Sequence, residues 1–251
     1  MAIKTVNTNA SVFSSLSSIN SSNSRNATTL NRVSTGLKVT GALSDASNFA
    51  IGQGLRGELK GISALTQGLN ATAGAASVAT AGATGLSNLS SDIQGKLIEL
   101  SNSGNTPQQS RILQSDLTAL LGQAQGFVDN SSFNGANLLA SGSTDVNTIA
   151  NDAGGTVVVS AQGAVGDAVT ALQGAIGGNP ESILQNEFAA FESALNNALG
   201  SLGADQRQIN QQNESLQAIA DATEEGLGNI VDADLGRESA RLAAQSVQSQ
   251  L

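Results

Sequence analysis

VFSSLSSINSSNSRNATTLNRVSTGL, residues 12–37, decides the fold class. Val12, Leu16, Ile19, Asn23, Asn26, Leu30, Val33 and Leu37 recur at alternating steps of four and three. That is heptad spacing, and it writes a narrow apolar stripe on an otherwise polar helix. Two asparagines interrupt the stripe midway. Fixing the backbone of such a segment costs about 1–2 kcal/mol per residue. Each large stripe residue returns about 1.5–3 kcal/mol at most when fully buried. A helix this polar is marginal alone and needs partner helices on more than one side.

The same spacing continues outward. Leu55, Leu59, Ile62, Thr66, Leu69, Ala73 and Ala76 form a second stripe, extended by Leu86, Leu89, Ile93, Leu97 and Leu100. Gly74, Gly82 and Gly85 lower its helicity by up to about 1 kcal/mol each, so packing has to hold it helical. Residues 71–83 are mostly Ala, Gly and Thr. They read as a tight seam or, alternatively, as one that slides between two packings and curves a polymer. A third helix starts at Thr106-Pro107 with Gln109 completing a capping box. Ile112 or Leu113, Leu117, Leu120, Ala124 and Phe127 are its expected stripe. Asn134-Gly135 signals a hairpin turn.

From 140 to 178 Gly, Ser, Thr, Asp and Asn dominate; Thr156–Ser160 reads as a strand and Val165–Ile176 as a short helix. A last long helix is expected from Asn179-Pro180-Glu181. Its register runs Phe188, Leu195, Leu202, Ile209, Leu216, Thr223 and Ile230, with Phe191, Ala198 and Ile219 on the alternate seam. Asp205 and Gln212 make that seam polar midway. Gly226 and Gly228 suggest a joint before Asn229, and Leu235–Leu251 is a final amphipathic stretch. The expected fold is mainly α: an elongated rod of long antiparallel coiled-coil-like helices, a small β-containing tip, and both termini at one end.

Composition narrows the chemistry. The 251 residues include no Cys, His, Trp or Tyr, six Phe and one Met. Thiolate nucleophiles, imidazole bases, disulfides and Cys/His metal clusters are excluded. Adjacent acids such as Glu224-Glu225 do not face one another on a helix, so a paired-carboxylate site is not expected there. The net charge is −9, and charge is unevenly placed. Lys4, Arg25, Arg32 and Lys38 precede the first acid, Asp45, and no cation occurs between Arg111 and Arg207. The acidic middle reads as a solvated face that keeps the particle soluble, and it argues against nucleic-acid binding. No apolar run is long enough to span a membrane. Lys4 is followed by polar residues, unlike a secretory signal.

Several motifs together resemble bacterial flagellins. Leu30-Asn31-Arg32-Val33-Ser34-Thr35-Gly36-Leu37-Lys38-Val39 is similar to the N-terminal signature. Ser44-Asp45-Ala46, Phe49-Ala50-Ile51 and Leu55-Arg56 resemble its continuation. Phe133-Asn134-Gly135 with Leu138-Leu139 resembles the turn before the variable region, and Asn229-Ile230-Val231-Asp232-Ala233-Asp234-Leu235 with Glu238-Ser239-Ala240 the C-terminal signature. The similarity covers roughly residues 1–140 and 180–251 and keeps the motif order.

The resemblance implies an inner-core helix at 1–40, outer-core helices and a β turn at 41–139, and a short variable surface region at 140–178. An outer-core helix at 179–231 and an incomplete inner-core helix at 232–251 follow, since the family continues into a further apolar segment. It implies no enzyme activity and no cofactor or metal, but a subunit that polymerises with itself into the extracellular flagellar filament for swimming motility. Expected partners are an export chaperone, the type III export apparatus, the filament cap and hook-associated proteins, with export that uses no cleaved signal peptide. The expected assembly surface comprises Val12, Leu16, Ile19, Leu30, Val33, Leu37, Asp45, Ile230, Asp232, Asp234, Leu235 and Leu242. Asp45, Asp232 and Asp234 read equally as ion-pair partners of Arg or Lys at subunit joints or as helix caps and solvated positions. Ser141, Ser143, Thr144 and Thr148 are candidate O-glycosylation positions. Gly95 occupies a position where some relatives carry an arginine contacted by a Toll-like receptor, with Glu99 and Asp116 nearby, which implies weak receptor binding at most. A hook–filament junction protein is the nearest alternative. A chemoreceptor-like helical hairpin is a second, but the Gly/Ser-rich middle disfavours it.

Overall fold

The computed structural model describes residues 9–250. The elements in chain order are α1 (Ala10–Thr35), α2 (Ala46–Leu100), α3 (Pro107–Asn130), β1 (Ser132–Phe133), β2 (Ala136–Asn137), β3 (Val146–Ile149) and β4 (Thr156–Val159). They are followed by α4 (Ala164–Ala175), a single turn α5 (Pro180–Ile183), α6 (Ala189–Val231) and α7 (Leu235–Gln250). The chain forms two compact units, one of residues 1–60 with 218–251 and one of 61–217. The molecule is mainly helical, with two small antiparallel hairpins.

The second unit holds the apolar core. α2 and α3 run antiparallel, reversed by a short loop whose exit is the capping box read from sequence. Thr106 Oγ1 accepts from the Gln109 N–H at 3.3 Å, and Gln109 Oε1 accepts from the Thr106 N–H at 2.8 Å. Leu69, Ala76, Ala79, Ala83, Leu86, Ile93 and Leu97 of α2 are buried. So are Phe188, Phe191, Leu195, Ala198, Leu202, Ile209 and Leu216 along and just before α6. α3 differs from its expected stripe by one position: Leu121 and Val128 are buried in place of Leu120 and Phe127. The neighbouring register was equally apolar, and packing against α2 and α4 selects it.

The tight seam has a structural reason. A Cβ on Gly85 would stand 2.6 Å from the Phe127 ring, and one on Gly82 would overlap Ser131 Oγ and lie 3.1 Å from Leu139 Cδ1. Gly82 and Ala79 are therefore interior to the chain, where they form the tight seam.

Asn134 (φ 49°) and Gly135 (φ 83°) turn the β1–β2 hairpin, as Asn-Gly pairs favour. β4 coincides with the expected strand, and its partner β3 was not expected, because Val146-Asn147-Thr148-Ile149 alternates within polar surroundings. The polar seam positions of α6 hold this second hairpin. Asp205 Oδ2 accepts from the Ser160 N–H at 3.0 Å, and Gln212 Nε2 donates to the Ala150 carbonyl at 2.7 Å. On the α2 side, Thr72 and Thr148 share a hydroxyl–hydroxyl hydrogen bond.

Two boundaries depart from expectation. The helix expected to start cleanly at Asn179 does so, with Asn179 Oδ1 accepting from the Glu181 N–H at 2.9 Å, but widens into one π turn at Leu184–Phe188 before α6. The joint expected at Gly226–Gly228 is absent: α6 stays helical to Val231, and the break falls at Asp232–Asp234. Two glycines weaken a helix by about 1 kcal/mol each, which is not enough to end one this long.

Candidate assembly surface at the terminal helices

All twelve expected assembly residues lie in the first unit. α1 begins at Asn9, whose side chain accepts from the Ser11 N–H at 3.1 Å, and ends at Gly36 in the left-handed region, φ 72°. Gly36 thus removes Leu37 from the helical stripe. Leu37 instead faces Asp232 in an antiparallel bridge. The Lys38 N–H donates to the Val231 carbonyl at 2.7 Å and the Ala233 N–H to the Gly36 carbonyl at 2.8 Å. This short ladder joins the exit of α1 to the entry of α7.

α1 and α7 then pair antiparallel, the contact fixed by Glu238. That residue is only 6% exposed. Its Oε1 takes Arg241 Nη1 at 2.9 Å from its own helix and Arg32 Nη1 at 3.5 Å from α1. Its Oε2 is buried with no hydrogen-bond partner. Glu238 and Arg32 both sit inside family-like motifs, yet nothing in the spacing of either gave it a role; only the antiparallel pairing brings them together.

The apolar stripe of α1 faces away from this contact. Val12 (58%), Leu16 (52%), Ile19 (57%) and Leu30 (56%) are all more than half exposed. Val33, Ile230 and Leu242 are half-buried, and Leu235 is exposed. The carboxylates separate by role. Asp45 caps α2: its Oδ1 accepts from the Asn48 N–H at 3.0 Å and its Oδ2 from Asn48 Nδ2 at 2.7 Å. The Asn48 amide, then its side chain, hold the Asp45 carboxyl below the ordinary carboxylate value, with Lys38 adding a small attraction. Asp234 caps α7 through the Arg237 N–H at 3.0 Å. Asp232 is exposed and makes no cap, and it lines a concavity of about 590 Å³ with Asp221, Glu224, Glu225 and Asp234.

The candidate glycosylation positions are not equivalent. Thr144 is exposed, and Ser141 is exposed with its hydroxyl donating to Asp167 Oδ1 at 2.5 Å. Ser143 donates to the Leu138 carbonyl at 3.1 Å. Thr148 does not stand on an open tip, because it is half-buried against Thr72. Among the described residues no three acids cluster to hold a metal ion, and no helix is long and apolar enough to cross a membrane.

Residues 6–144 match the bacterial flagellin N-terminal helical region, and residues 190–251 match the C-terminal helical region. A flagellin of Brucella melitensis is 28% identical, over 97% of this chain and 91% of its own length. Flagellin FljK of Caulobacter vibrioides is 25% identical, over 100% of this chain and 93% of its own. The crystal structure of Bacillus cereus flagellin aligns with 70% of this chain and 94% of its own at 13% identity, with a TM-score of 0.38.

Proposed function

The chain belongs to the bacterial flagellin family, and from that premise we propose that it polymerises through the paired terminal helices of its first unit. It is a structural subunit of the flagellar filament, the extracellular polymer that drives swimming. The observation that carries the proposed surface is the stripe of Val12, Leu16, Ile19 and Leu30, each more than half exposed on a helix already paired on one side. Covering that stripe returns about 1.5–3 kcal/mol for each side chain fully buried. Contacts of this kind between identical subunits, made head to tail and left open, generate a helical fibre.

On this reading residues 1–40 and 232–251 form the inner core, 41–139 and 179–231 the outer core, and 140–178 the exterior. Its role is mechanical and involves no catalysis or cofactor. The same reading has it exported through the flagellar type III apparatus with a dedicated chaperone and assembled beneath a cap beyond hook-associated proteins, and family membership supports this. Seeded polymerisation tests the surface. The parent chain elongates filament fragments, and Leu16→Asp with Ile19→Asp slows elongation at least about tenfold while the soluble subunit keeps its helicity. Elongation of the double variant at the parental rate, followed by sedimentation and electron microscopy, removes α1 from the interface.

A further inference from the structure

Between α1 and α7 lies a groove of about 350 Å³ lined by Arg25, Arg32, Arg241, Glu238 and Gln245, among others. Three guanidinium groups face one carboxylate, so the groove is cationic. Arg25 holds only an exposed serine of its own helix in the described contacts, Ser21 Oγ at 2.9 Å. Glu238 Oε2 and Gln245 Oε1 are buried there without hydrogen-bond donors. A buried acceptor left unmade is costly, but these two atoms have no exposed surface for a partner to meet. What the groove offers outward is its excess positive charge.

The same unit carries the complement. Glu224, Glu225 and Asp232, with Asp221 and Asp234, line the concavity at the α6–α7 joint. At its edge Arg237 pairs with Asp234 at 3.8 Å and Lys38 donates to the Asn229 carbonyl at 3.4 Å, which leaves acids in excess. Sequence shows the segregation equally clearly: α1 contains arginines and no acid, and from residue 208 to 236 there are six acids and no Lys or Arg. The two surfaces share no residue. Two distinct, opposite-signed patches on one chain suit a head-to-tail contact, which builds an open fibre when its rotation does not close a ring.

We propose that the arginine-lined surface of one subunit faces the acidic surface of a second copy, Arg25 and Arg241 pairing with Glu224, Glu225 and Asp232. The pairing rests on the self-assembly reading and specifies which charges set its register. Placing like charges across such a contact disfavours it strongly, whereas complementary charges govern rate and partner choice.

Charge-reversal complementation on the full chain is the test. Arg25→Glu alone and Glu224→Arg with Glu225→Arg alone each elongate parental seeds at least about tenfold more slowly than parent, with circular dichroism of the soluble subunits unchanged. A one-to-one mixture of the two variants elongates at close to the parental rate, because every groove then meets a concavity of opposite sign. Two folded variants that each polymerise normally, or a mixture that recovers nothing, overturn the pairing while leaving self-assembly intact. A parent chain that does not elongate seeds removes the self-assembly reading itself. Should a reversal unfold the subunit, the neutral pair Arg25→Gln and Glu224→Gln serves. Each then weakens the salt dependence of elongation relative to parent, and an unaltered salt dependence in both counts against the contact.

Discussion

Gly82 gives the sharpest test of the packing, because its two influences on stability have opposite sign. Helix propensity alone makes Gly82→Ala stabilising by about 1 kcal/mol, since α2 is continuous through this position. The structure opposes that gain. The new Cβ overlaps Ser131 Oγ and lies 3.0 Å from Ser131 Cβ, and Ser131 Oγ is itself engaged, donating to the Phe127 carbonyl at 2.6 Å. Relieving the overlap moves α3 or breaks that hydrogen bond. Overpacking costs about 1–3 kcal/mol and a lost hydrogen bond about 1 kcal/mol. The net effect is a destabilisation of about 1–3 kcal/mol, a fall in Tm of roughly 2–10 °C for a chain of this size. Gly95→Ala is the internal control: it lies in the same helix with nothing within 4 Å of its added Cβ. There the propensity gain stands unopposed, and Tm rises by about 2–4 °C. Thermal unfolding followed at the helical circular dichroism band compares the two. Adding Ser131→Ala to Gly82→Ala recovers part of the loss, and the coupling in that cycle measures the contact itself. If both alanines raise Tm alike, α2 and α3 do not approach as closely as described, and the account of the glycines fails.

Two further outcomes follow from named contacts, and a third is expected from the family resemblance at Gly95. Asp45 has a depressed carboxyl pKa, so its capping contribution is complete above the ordinary carboxylate value of about 4 and is lost as pH falls from there through the folded value. Asp45→Asn keeps a cap at every pH, so Tm of the variant declines less than that of the parent between about pH 5 and 2; parallel declines would remove Asp45 as a titrating cap. Asp205→Ala and Gln212→Ala each free one backbone group of the β3–β4 hairpin, at a cost of about 1 kcal/mol. Hydrogen exchange there quickens while the α3 core amides keep their protection, and unchanged exchange in the hairpin would detach it from α6. The parent chain stimulates Toll-like receptor reporter cells weakly and Gly95→Arg strengthens the response; potent stimulation by the parent contradicts the role given to that position.

What could be read beforehand divides along physical lines. Heptad spacing located every long helix, because burial against a neighbour imposes the period directly. Thr106, Asn179 and the Asn134-Gly135 turn were legible because their signals are local: a side chain satisfies a backbone group within three residues, or a turn demands positive φ. The register of α3 was not legible, since Leu120 and Leu121 are both apolar and only the surfaces of α2 and α4 distinguish them. β3 escaped because a four-residue strand with Asn and Thr at its centre is defined by its partner more than by itself. The Glu238 contacts escaped for the same reason on a larger scale, with Arg32 lying 206 residues away. Conversely, Asp45 and Asp234 drew attention as joint residues, and their geometry shows the alternative considered for them, helix capping.

Polar breaks in apolar stripes mean different things in the two units, and that contrast bears on assembly. In the second unit the polar seam positions of α6 find partners within the chain: Asp205 accepts from the Ser160 N–H and Gln212 donates to the Ala150 carbonyl. A stripe that is thin in sequence is there completed by the chain's own hairpin. In α1 the break at Asn23 and Asn26 leads to no such partner element, and the apolar residues on either side stay more than half exposed. Sparse stripes therefore do not by themselves mark a surface for other copies; a stripe does so when the fold has used its remaining elements elsewhere. By that criterion the exposed face of α1 is where the proposed contact with a second copy gains most. The second unit, with the polar seam of α6 already filled, gains less from repacking.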